Sequence, residues 1–286
     1  MWLDFALSSV ARGRQVVATM GGRPVFGGRR VIDIGCAYGG FLVAAAEAGA
    51  KQVTGIDIDS SLLELARLQL SDYQRKADLR LLDVTRPDAP DDVGRFDLVI
   101  CNDVIEHVDD PAALVRNIAA LLVPGGSVYI QIPNGQAVEF MSKDGHYGLF
   151  GITLLDRMRA EQWWSTVYGG RYTVGHYAPL GYYLDAFSQA GIAVRLISSP
   201  PVDLGGMVDE LEGRFLDLEA SLSWLTAAPE DVVEEMRRRG QHEIEHFRHL
   251  AGLFRQSTVP AEREIIGRTL WGTYQLTFWE LIGTKV

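Results

Sequence analysis

The chain has 286 residues, of which 47% are hydrophobic and 22% are charged, and its formal net charge is −10. These proportions are ordinary for a globular protein and argue against an intrinsically disordered chain. The negative charge disfavours DNA or RNA as a partner, because a protein that binds a phosphate backbone needs a basic surface.

The cysteine count and the N-terminal sequence bear on cellular location. Cys36 and Cys101 are the only two cysteines, too few for a disulfide framework, so a reducing compartment fits. The first residues carry Asp4 instead of a basic stretch, which argues against a signal peptide. No apolar run approaches the roughly 18 residues of a spanning helix. We therefore expect a cytoplasmic protein without a membrane span.

The first two thirds of the chain alternate between strand-like and helix-like patterns. A helix over residues 3–19 and a loop over 21–30 come first. The predicted strands then cover residues 31–34, 52–57, 79–82, 96–101, 128–132 and 192–198. The predicted helices between them cover residues 41–48, 60–70, 111–122 and 180–190. This alternation predicts βαβ units and a parallel sheet.

Local signals predict where some of these elements begin and end. We expect Ser60 or Ser61 to cap the helix over 60–70, with Glu64 completing a capping box. The Pro-Gly-Gly sequence at 124–126 should end the helix over 111–122. A last strand is expected over residues 275–286.

A loop of small residues follows the first predicted strand. Gly35, Ala37, Gly39 and Gly40 lie between that strand and a helix, which lets a ligand approach the backbone and the helix N-terminus. Asp57 follows Gly35 by 22 residues, at the end of the second strand. A carboxylate at that position can accept both hydroxyls of a ribose. The pattern predicts an adenosine-containing cofactor.

The identity of that cofactor depends on charge and glycine spacing. The loop departs from the Gly-x-Gly-x-x-Gly spacing of dinucleotide-binding proteins. Asp33 stands two residues before Gly35; it would repel a pyrophosphate but attract the ammonium and sulfonium of S-adenosylmethionine. A nicotinamide-dependent oxidoreductase is therefore the disfavoured alternative.

Five segments in order resemble the motifs of class I S-adenosylmethionine-dependent methyltransferases. Residues 31–41 resemble motif I, Asp-x-Gly-x-Gly-x-Gly, with Ala37 in place of the middle glycine. Residues 96–111 resemble the fourth strand and following loop of the ubiquinone-biosynthesis type. The other matching segments are residues 55–59, 81–85 and 122–126. The resemblance covers residues 29–134 without a gap.

The resemblance implies a fold, a cofactor and a set of cofactor-binding residues. The fold is a doubly wound, Rossmann-like α/β sheet of seven strands with the last strand antiparallel, and the cofactor is S-adenosylmethionine. Asp57 would hold the ribose and Asp83 would face the adenine amino group. The residues expected to bind the cofactor are Asp33, Gly35, Cys36, Ala37, Tyr38, Gly39, Asp57, Ile58, Asp83, Val84, Asn102 and His107.

The pattern of predicted elements divides the chain into a core and its insertions. The segment at 135–179 is rich in aromatic residues and could form a lid or acceptor site, or simply pack against the sheet. The six expected parts are an N-terminal helix and loop (1–28), a cofactor-binding half (29–134), that insert (135–179), a helix with strand six (180–199), a helical insert (200–268) and the final strand (269–286).

Methyl transfer is an in-line displacement in which the protein positions the acceptor and, where needed, removes its proton. Histidine is a natural base for a hydroxyl or phenol. His146, in a glycine-flanked segment, is the first candidate, followed by His176. His107, in the loop after the fourth strand, is the third catalytic candidate, with a structural or cofactor-positioning role as the favoured alternative. A surface or hydrogen-bonding role is the alternative for both His146 and His176.

These observations predict a methyltransferase for a small-molecule acceptor, most simply at oxygen, with nitrogen and carbon left open. A non-enzymatic methyltransferase-like scaffold is the alternative of another class. The His242-Glu-x-x-His246 sequence fits the pattern of zinc proteases, but its charged surroundings favour a solvated helix. The basic triplet Arg237–Arg239 is likewise interpreted as a solvated helix face. We expect no metal. The helices at 206–268 could also pair two subunits into a homodimer.

Overall fold

The computed structural model of the protein describes residues 2–175 and 177–286. Seven strands of the described residues form one sheet. They are β1 (Arg30–Ile34), β2 (Gln52–Asp57), β3 (Asp78–Leu81), β4 (Phe96–Asn102), β5 (Leu122–Pro133), β6 (Ile192–Leu196) and β7 (Phe278–Lys285).

The order across the sheet is β3-β2-β1-β4-β5-β7-β6, and β6 pairs with β7 in antiparallel fashion. The pairs β1–β2, β1–β4, β2–β3 and β4–β5 are parallel. The predicted doubly wound α/β sheet with an antiparallel last strand is confirmed.

The helices of the described residues follow the predicted alternation in the sheet region and dominate the two insertions. They are α1 (Trp2–Leu7), α2 (Ser9–Thr19), α3 (Arg23–Phe26), α4 (Gly40–Glu47), α5 (Ser60–Asp72), α6 (Ala89–Val93), α7 (Pro111–Leu121), α8 (Val138–Ser142), α9 (Arg157–Val167), α10 (Leu180–Gln189), α11 (Leu204–Trp224), α12 (Glu230–Gln256) and α13 (Pro260–Leu270).

The chain divides into two compact units. The first comprises Met1–Ile132, Gly181–Ile197 and Glu280–Val286, and it holds most of the sheet. The second comprises Pro133–Leu180 and Ser198–Trp279, and it holds α8, α9 and α11 to α13.

The core of the first unit follows from strands that are apolar on both faces. Val31, Ile32 and Ile34 of β1 are each at most 1% exposed. Strands covered by helices on both faces read as continuous apolar runs instead of alternating ones. Leu42 and Val43 of the alanine-rich α4 are fully buried as well, so burial of β1 and α4 positions the loop between them.

The N-terminal helix α2 packs directly on the start of α4. A Cβ atom on Gly13 would lie 2.6 Å from the carbonyl oxygen of Gly40, and the reverse substitution would meet the backbone of Ser9. The two backbones can touch only because both positions are glycine. Gln69 of α5 adds a hydrogen bond of 3.0 Å from its Nε2 to the Ser9 hydroxyl. This crossing places α2 beside the small-residue loop.

The second unit is organised around a pair of long helices. Phe215 of α11 stacks on Phe247 of α12 with ring centroids 4.3 Å apart, and Tyr274 meets Phe215 edge-on at 5.0 Å. Arg237 donates to carbonyl oxygens at the end of α11, including that of Leu222. All three arginines of the Arg237–Arg239 triplet are exposed, which fits the predicted solvated face.

Several predicted boundaries are wrong near the N-terminus. The single helix expected over 3–19 is two helices that meet at Ser8, and the expected loop over 21–30 contains the short helix α3. Helix α5 is capped by Asp59 instead of Ser60 or Ser61, because the Asp59 carboxylate accepts the amide of Ser61 at 2.7 Å. Glu64 pairs with Arg67 instead of closing a capping box.

Two later boundaries also differ. The Pro-Gly-Gly segment at 124–126 lies within β5, whose pairing with β4 shifts register between Phe96 and Leu98. The last strand begins at Phe278 instead of 275, because Trp271–Gln275 forms a π-helical turn.

Candidate active site

The carboxyl ends of four neighbouring strands lie along one edge of the sheet. Ile34 pairs with Ile56 of β2 and with Cys101 of β4, while Asp57 pairs with Leu81 of β3. Because these strands are parallel, the loops that follow them meet at the same edge. The strand order reverses between β1 and β4, which is where doubly wound sheets bind ligands.

The loop after β1 makes a tight turn into α4. Gly35 and Gly39 have φ of +67° and +77°, and Ala37 has φ of +42°. The amides of Gly35 and Cys36 both donate to the Ile56 carbonyl, at 2.9 and 3.0 Å. This left-handed backbone explains the glycines at 35 and 39, whereas Ala37 adopts it as a non-glycine residue at a cost.

Asp57 joins two of the loops at this edge. Its carboxylate accepts the amide of Ala37 on Oδ2 and the amide of Asp59 on Oδ1, each at 2.9 Å. The side chain is nearly buried, with 7% of the residue exposed. Each carboxylate oxygen can accept a second hydrogen bond, so Asp57 can hold two ribose hydroxyls while it also orders the backbone.

Asp33 of β1 is a buried carboxyl group. It is 2% exposed, and its Oδ2 has no hydrogen-bond partner among the described residues. Burial, followed by the nearby charge of Asp57, raises the pKa of Asp33 well above its usual range. A buried carboxyl in this situation needs either a proton or a cation. The ammonium group of S-adenosylmethionine fits that requirement.

The remaining predicted cofactor residues of the first three loops differ in exposure. Cys36 is buried, and burial raises the pKa of its thiol, so it packs instead of reacting. Ile58 is 75% exposed, which leaves its side chain available to cover a base. Asp83 is exposed, and its Oδ1 accepts the amide and hydroxyl of Thr85 at 2.9 and 2.6 Å. Its Oδ2 accepts none of the hydrogen bonds among described residues.

Val84 and Asn102 lie at the same edge, and Tyr38 is half-buried in the loop after β1. Val84 is buried, and its carbonyl accepts the Asn117 amide at 2.7 Å. Asn102 ends β4 and donates from Nδ2 to Asp103 at 2.8 Å. The structure thus brings these predicted cofactor residues to the loops after β1 to β4.

His107 lies in a short 3₁₀ turn after β4, over Ile105–His107. Its Nε2 is 3.7 Å from Oε1 of Glu106, whose side chain is fully buried. The structural or cofactor-positioning role of His107 stays a prediction.

His146 belongs to the second unit and is held by two neighbours there. Its Nδ1 lies 3.1 Å from the hydroxyl oxygen of Tyr177 and 4.0 Å from Oδ2 of Asp144. Only 15% of the His146 side chain is exposed. His176, the second candidate base, lies outside the described residues.

The aromatic residues of the 135–179 insert form a cluster of their own. The Trp164 ring lies 4.1 Å from Tyr147, 4.4 Å from Tyr168 and 6.1 Å from Tyr172, measured between centroids. Tyr147 also bonds through its hydroxyl to that of Thr173 at 2.6 Å. The cluster fixes the residue that follows His146, and its role as a lid stays a prediction.

Three polar residues near the predicted sites escaped the sequence analysis. Arg12 of α2 faces the charge of Asp103, yet burial lowers its pKa. Asp103 has φ of +54°, and no sequence signal marks it. Asp144 precedes a glycine-rich turn, which is a recognisable signal for a side chain that bonds to nearby backbone.

The His242-to-His246 stretch lies on α12 with both histidines exposed. The Tyr274 hydroxyl donates to Glu243 at 3.0 Å and lies 2.7 Å from Nδ1 of His246. Because the tyrosine has one proton, which goes to the carboxylate, the His246 Nδ1–H must be the donor to the tyrosine oxygen. This network ties α12 to the turn that precedes β7, and the exposed histidines fit the predicted solvated face.

The family whose description is "Methyltransferase domain" matches residues 11–196. Because this match covers more than half of the chain, the chain belongs to that family. The resemblance to class I S-adenosylmethionine-dependent methyltransferases is confirmed, and with it the expected cofactor of the family.

Relatives of known activity match the cofactor half. A ubiquinone biosynthesis O-methyltransferase of Bordetella avium (strain 197N) is 40% identical over 114 residues, which is 40% of this chain and 46% of the relative. That of Stutzerimonas stutzeri (strain A1501) is 41% identical over 109 residues, which is 37% of this chain and 45% of the relative. The chain therefore matches about half the length of these relatives.

Solved structures share the fold. A putative sarcosine dimethylglycine methyltransferase from Galdieria sulphuraria aligns with a TM-score of 0.52 at 15% identity, over 98% of this chain and 86% of that chain. An S-adenosylmethionine-dependent methyltransferase from Mesorhizobium loti aligns with a TM-score of 0.50 at 22% identity, over 72% and 92%. Within the described residues, none of the helices is long and apolar enough to cross a membrane.

Proposed function

We propose that the protein transfers the methyl group of S-adenosylmethionine to a small-molecule acceptor, at an oxygen atom. The observation that carries the cofactor half of this proposal is Asp33, a carboxyl group buried at the switch point, whose Oδ2 has no hydrogen-bond partner in the described part of the chain. A bound ammonium group would compensate that carboxylate, whereas a pyrophosphate would not.

The residues at the sheet edge divide the cofactor among them. Asp33 would pair with the ammonium group, Asp57 would accept the ribose hydroxyls, and the Oδ2 of Asp83 would accept the adenine amino group. The left-handed turn at Gly35 and Gly39 lets the ligand approach the backbone. When bound, the cofactor supplies a sulfonium methyl carbon, whose bond to sulfur is replaced by a bond to the acceptor oxygen.

His146 would take the proton that the acceptor hydroxyl loses. The imidazole is largely buried, and its Nδ1 lies 3.1 Å from the hydroxyl oxygen of Tyr177. A relative named as an O-methyltransferase is 40% identical over 114 residues, which supports oxygen as the acceptor atom. A nitrogen or carbon acceptor is the alternative.

Cofactor binding is tested by titration calorimetry with S-adenosylhomocysteine. We expect binding in the micromolar range. Asp57→Asn should weaken it by about 1–3 kcal/mol, the worth of charge-assisted hydrogen bonds. Asparagine keeps one acceptor for the loop amides, so it perturbs the backbone less than alanine. Asp72→Asn, an exposed aspartate at the end of α5, is the matched control. A folded protein that fails to bind would favour the scaffold alternative.

The base is tested by turnover with a panel of phenols, catechols and hydroxy acids, with S-adenosylhomocysteine release as the readout. His146→Gln should lower turnover by about 10²-fold or more, whereas His249→Gln, exposed on α12, should not. Near-normal turnover of His146→Gln would remove the base role from His146 and leave His176 to be tested.

The remaining assignments are part of the same proposal. Residues 135–179 and 200–268 would supply the acceptor-binding side chains, and the helices of the latter could pair two copies into a homodimer. A cytoplasmic location stays a prediction. The absence of a nucleic-acid partner is also a prediction, and the net charge of −10 supports it. Gel filtration with light scattering measures the oligomeric state.

A further inference from the structure

Asn117 is a polar side chain buried on the apolar face of α7. It is 8% exposed, and its neighbours on that face, Leu114, Ile118 and Leu121, are each at most 1% exposed. The spacing of these neighbours favours another aliphatic residue at position 117. A buried amide costs free energy unless it is hydrogen-bonded. An asparagine at this position therefore depends on polar partners from another segment.

The partners are two backbone carbonyls of the loop that follows β3. The Nδ2 atom of Asn117 donates to the carbonyl oxygen of Val84 at 2.7 Å and to that of Arg86 at 2.8 Å. These two residues precede Asn117 by 33 and 31 positions. Carbonyl oxygens only accept hydrogen bonds, so the amino group of the side chain, with its two N–H donors, must face the loop. Asn117 thus restrains the loop backbone on both sides of Thr85.

Asp83 lies at the start of this loop, between two restraints. On the strand side, the amide of Leu82 donates to the backbone carbonyl of Asp57 at 2.9 Å. On the other side are the two hydrogen bonds from Asn117. The Asp83 carboxylate accepts the amide and the hydroxyl of Thr85 on Oδ1, at 2.9 and 2.6 Å. Because Asn117 holds the backbone around Thr85, it also determines where Oδ2 of Asp83 points.

We propose that Asn117 is a positioning residue that makes the cofactor site selective for adenine, by fixing the loop from which Asp83 reaches the base. The inference rests on the proposed contact between Oδ2 of Asp83 and the adenine amino group. A hydrogen bond weakens steeply when its angle or distance changes, and water competes for the exposed Asp83 side chain. Selectivity at this position therefore requires a fixed backbone, and Asn117 supplies two of the bonds that fix it.

Loss of the Asn117 amide should act on one end of the cofactor only. Leucine has a similar size, but it leaves the carbonyl of the buried Val84 without this donor. A buried acceptor without a donor is costly, so the loop should shift until water reaches the carbonyl. Asp33 belongs to β1 and Asp57 to β2. These two carboxylates lie outside the loop and should still hold the ammonium group and the ribose.

The experiment is titration calorimetry of the full-length protein with two ligands. One is S-adenosylhomocysteine, and the other is its deamino analogue, in which a hydrogen atom replaces the amino group of adenine. The wild type should favour the first ligand by about tenfold to 150-fold, the equivalent of one hydrogen bond to a charged group. Asn117→Leu should weaken binding of S-adenosylhomocysteine by about tenfold and leave the affinity for the deamino analogue nearly unchanged, so the preference falls.

Two further variants separate positioning from a general loss of stability. Val115→Ala is the matched control, because Val115 is fully buried on the same helix, and it should keep the ligand preference of the wild type. Asn117→Ser keeps one donor, so it should lower the preference by less than Asn117→Leu does. It also replaces Asn117→Leu in the comparison if that variant fails to fold, which circular dichroism shows.

A ligand preference equal to that of the wild type in the folded Asn117 variants would overturn the inference. Equal weakening of both ligands would also overturn it, because a purely structural role predicts that result. A wild type that binds both ligands equally would remove the adenine contact of Asp83 and the inference with it. A folded wild type that binds neither ligand would contradict the proposed function itself, and the inference would fall for that separate reason.

Discussion

Replacing Asp33 by asparagine should stabilise the free protein and weaken cofactor binding. The carboxyl is 2% exposed, and its Oδ2 lacks a hydrogen bond among the described residues. Burial, reinforced by Asp57, raises its pKa. The folded protein therefore binds this proton more tightly than the unfolded chain does. The stabilisation that this proton contributes is fully present below the pKa of Asp33 in the unfolded chain. It is lost as the pH rises towards the pKa of Asp33 in the folded protein.

The size of the effect follows from the same linkage. Each unit by which the folded pKa exceeds the unfolded one removes about 1.4 kcal/mol from the free energy of unfolding once the pH is above both. Asp33→Asn carries no such loss, so the difference between variant and wild type should grow with pH. For binding, loss of a hydrogen bond between charged groups should cost about 1.5–3 kcal/mol, which is roughly tenfold to 150-fold in affinity.

Differential scanning calorimetry of the free proteins at pH 5 and pH 8 measures the first effect, and titration with S-adenosylhomocysteine measures the second. Titrations in two buffers of different ionisation enthalpy also report the proton that wild-type Asp33 should release when the ammonium group binds. If Asp33→Asn binds as tightly as the wild type, or if its stability relative to the wild type does not rise with pH, the role of this carboxyl is wrong.

Three further predictions concern the backbone of the first unit and the surface of the second. Gly13→Ala should cost about 1–3 kcal/mol of stability, because its Cβ would meet the backbone of α4. Gly252→Ala is the control: it has open space around it on α12 and should gain about 0.5–1 kcal/mol. Equal effects of the two variants in urea unfolding would contradict the close α2–α4 crossing. Ala37→Gly should be neutral or gain up to about 1 kcal/mol, because glycine relieves the left-handed backbone at φ +42°, and a clear loss in the same assay would mean that this turn is different. Hydrogen bonds from Arg238 and Arg239 lower the pKa of Glu235 to about 2. The contribution of Glu235 to the free energy of unfolding is therefore fully present above the unfolded pKa of this carboxyl group and is lost as the pH falls towards 2. Glu235→Gln should then lower the free energy of unfolding by about 0.5–1 kcal/mol at neutral pH and should have no effect near pH 2. A loss of stability that does not depend on pH would rule out the ion pairs as its cause.

The cofactor half of the molecule could be predicted because its signals are local. The strand before Gly35 and the strand ending at Asp57 each combine an apolar run with the residues that follow it. Parallel pairing then brings the ends of successive strands to one edge without further information. The boundaries of β1 to β4 agree with the structure to within a residue.

The predictions that failed depended on which of several neighbouring groups makes a bond. Ser60, Ser61 and Asp59 are all acceptable N-caps, and the choice of Asp59 depends on the backbone that precedes the helix. The early start of β5 depends on a register shift against β4, which no pattern within residues 122–128 reveals.

The sequence by itself determined the class of fold and the cofactor, because spacing within contiguous segments specifies them. Tertiary structure alone decided the closeness of α2 to α4, the hydrogen bond from the Ala37 amide to the Asp57 carboxylate, and the pairing of His146 with Tyr177. Each of these joins groups that are 20 or more residues apart. Such contacts arise from how separate segments pack, and burial then determines whether a carboxyl such as Asp33 keeps its proton or pairs with a cation.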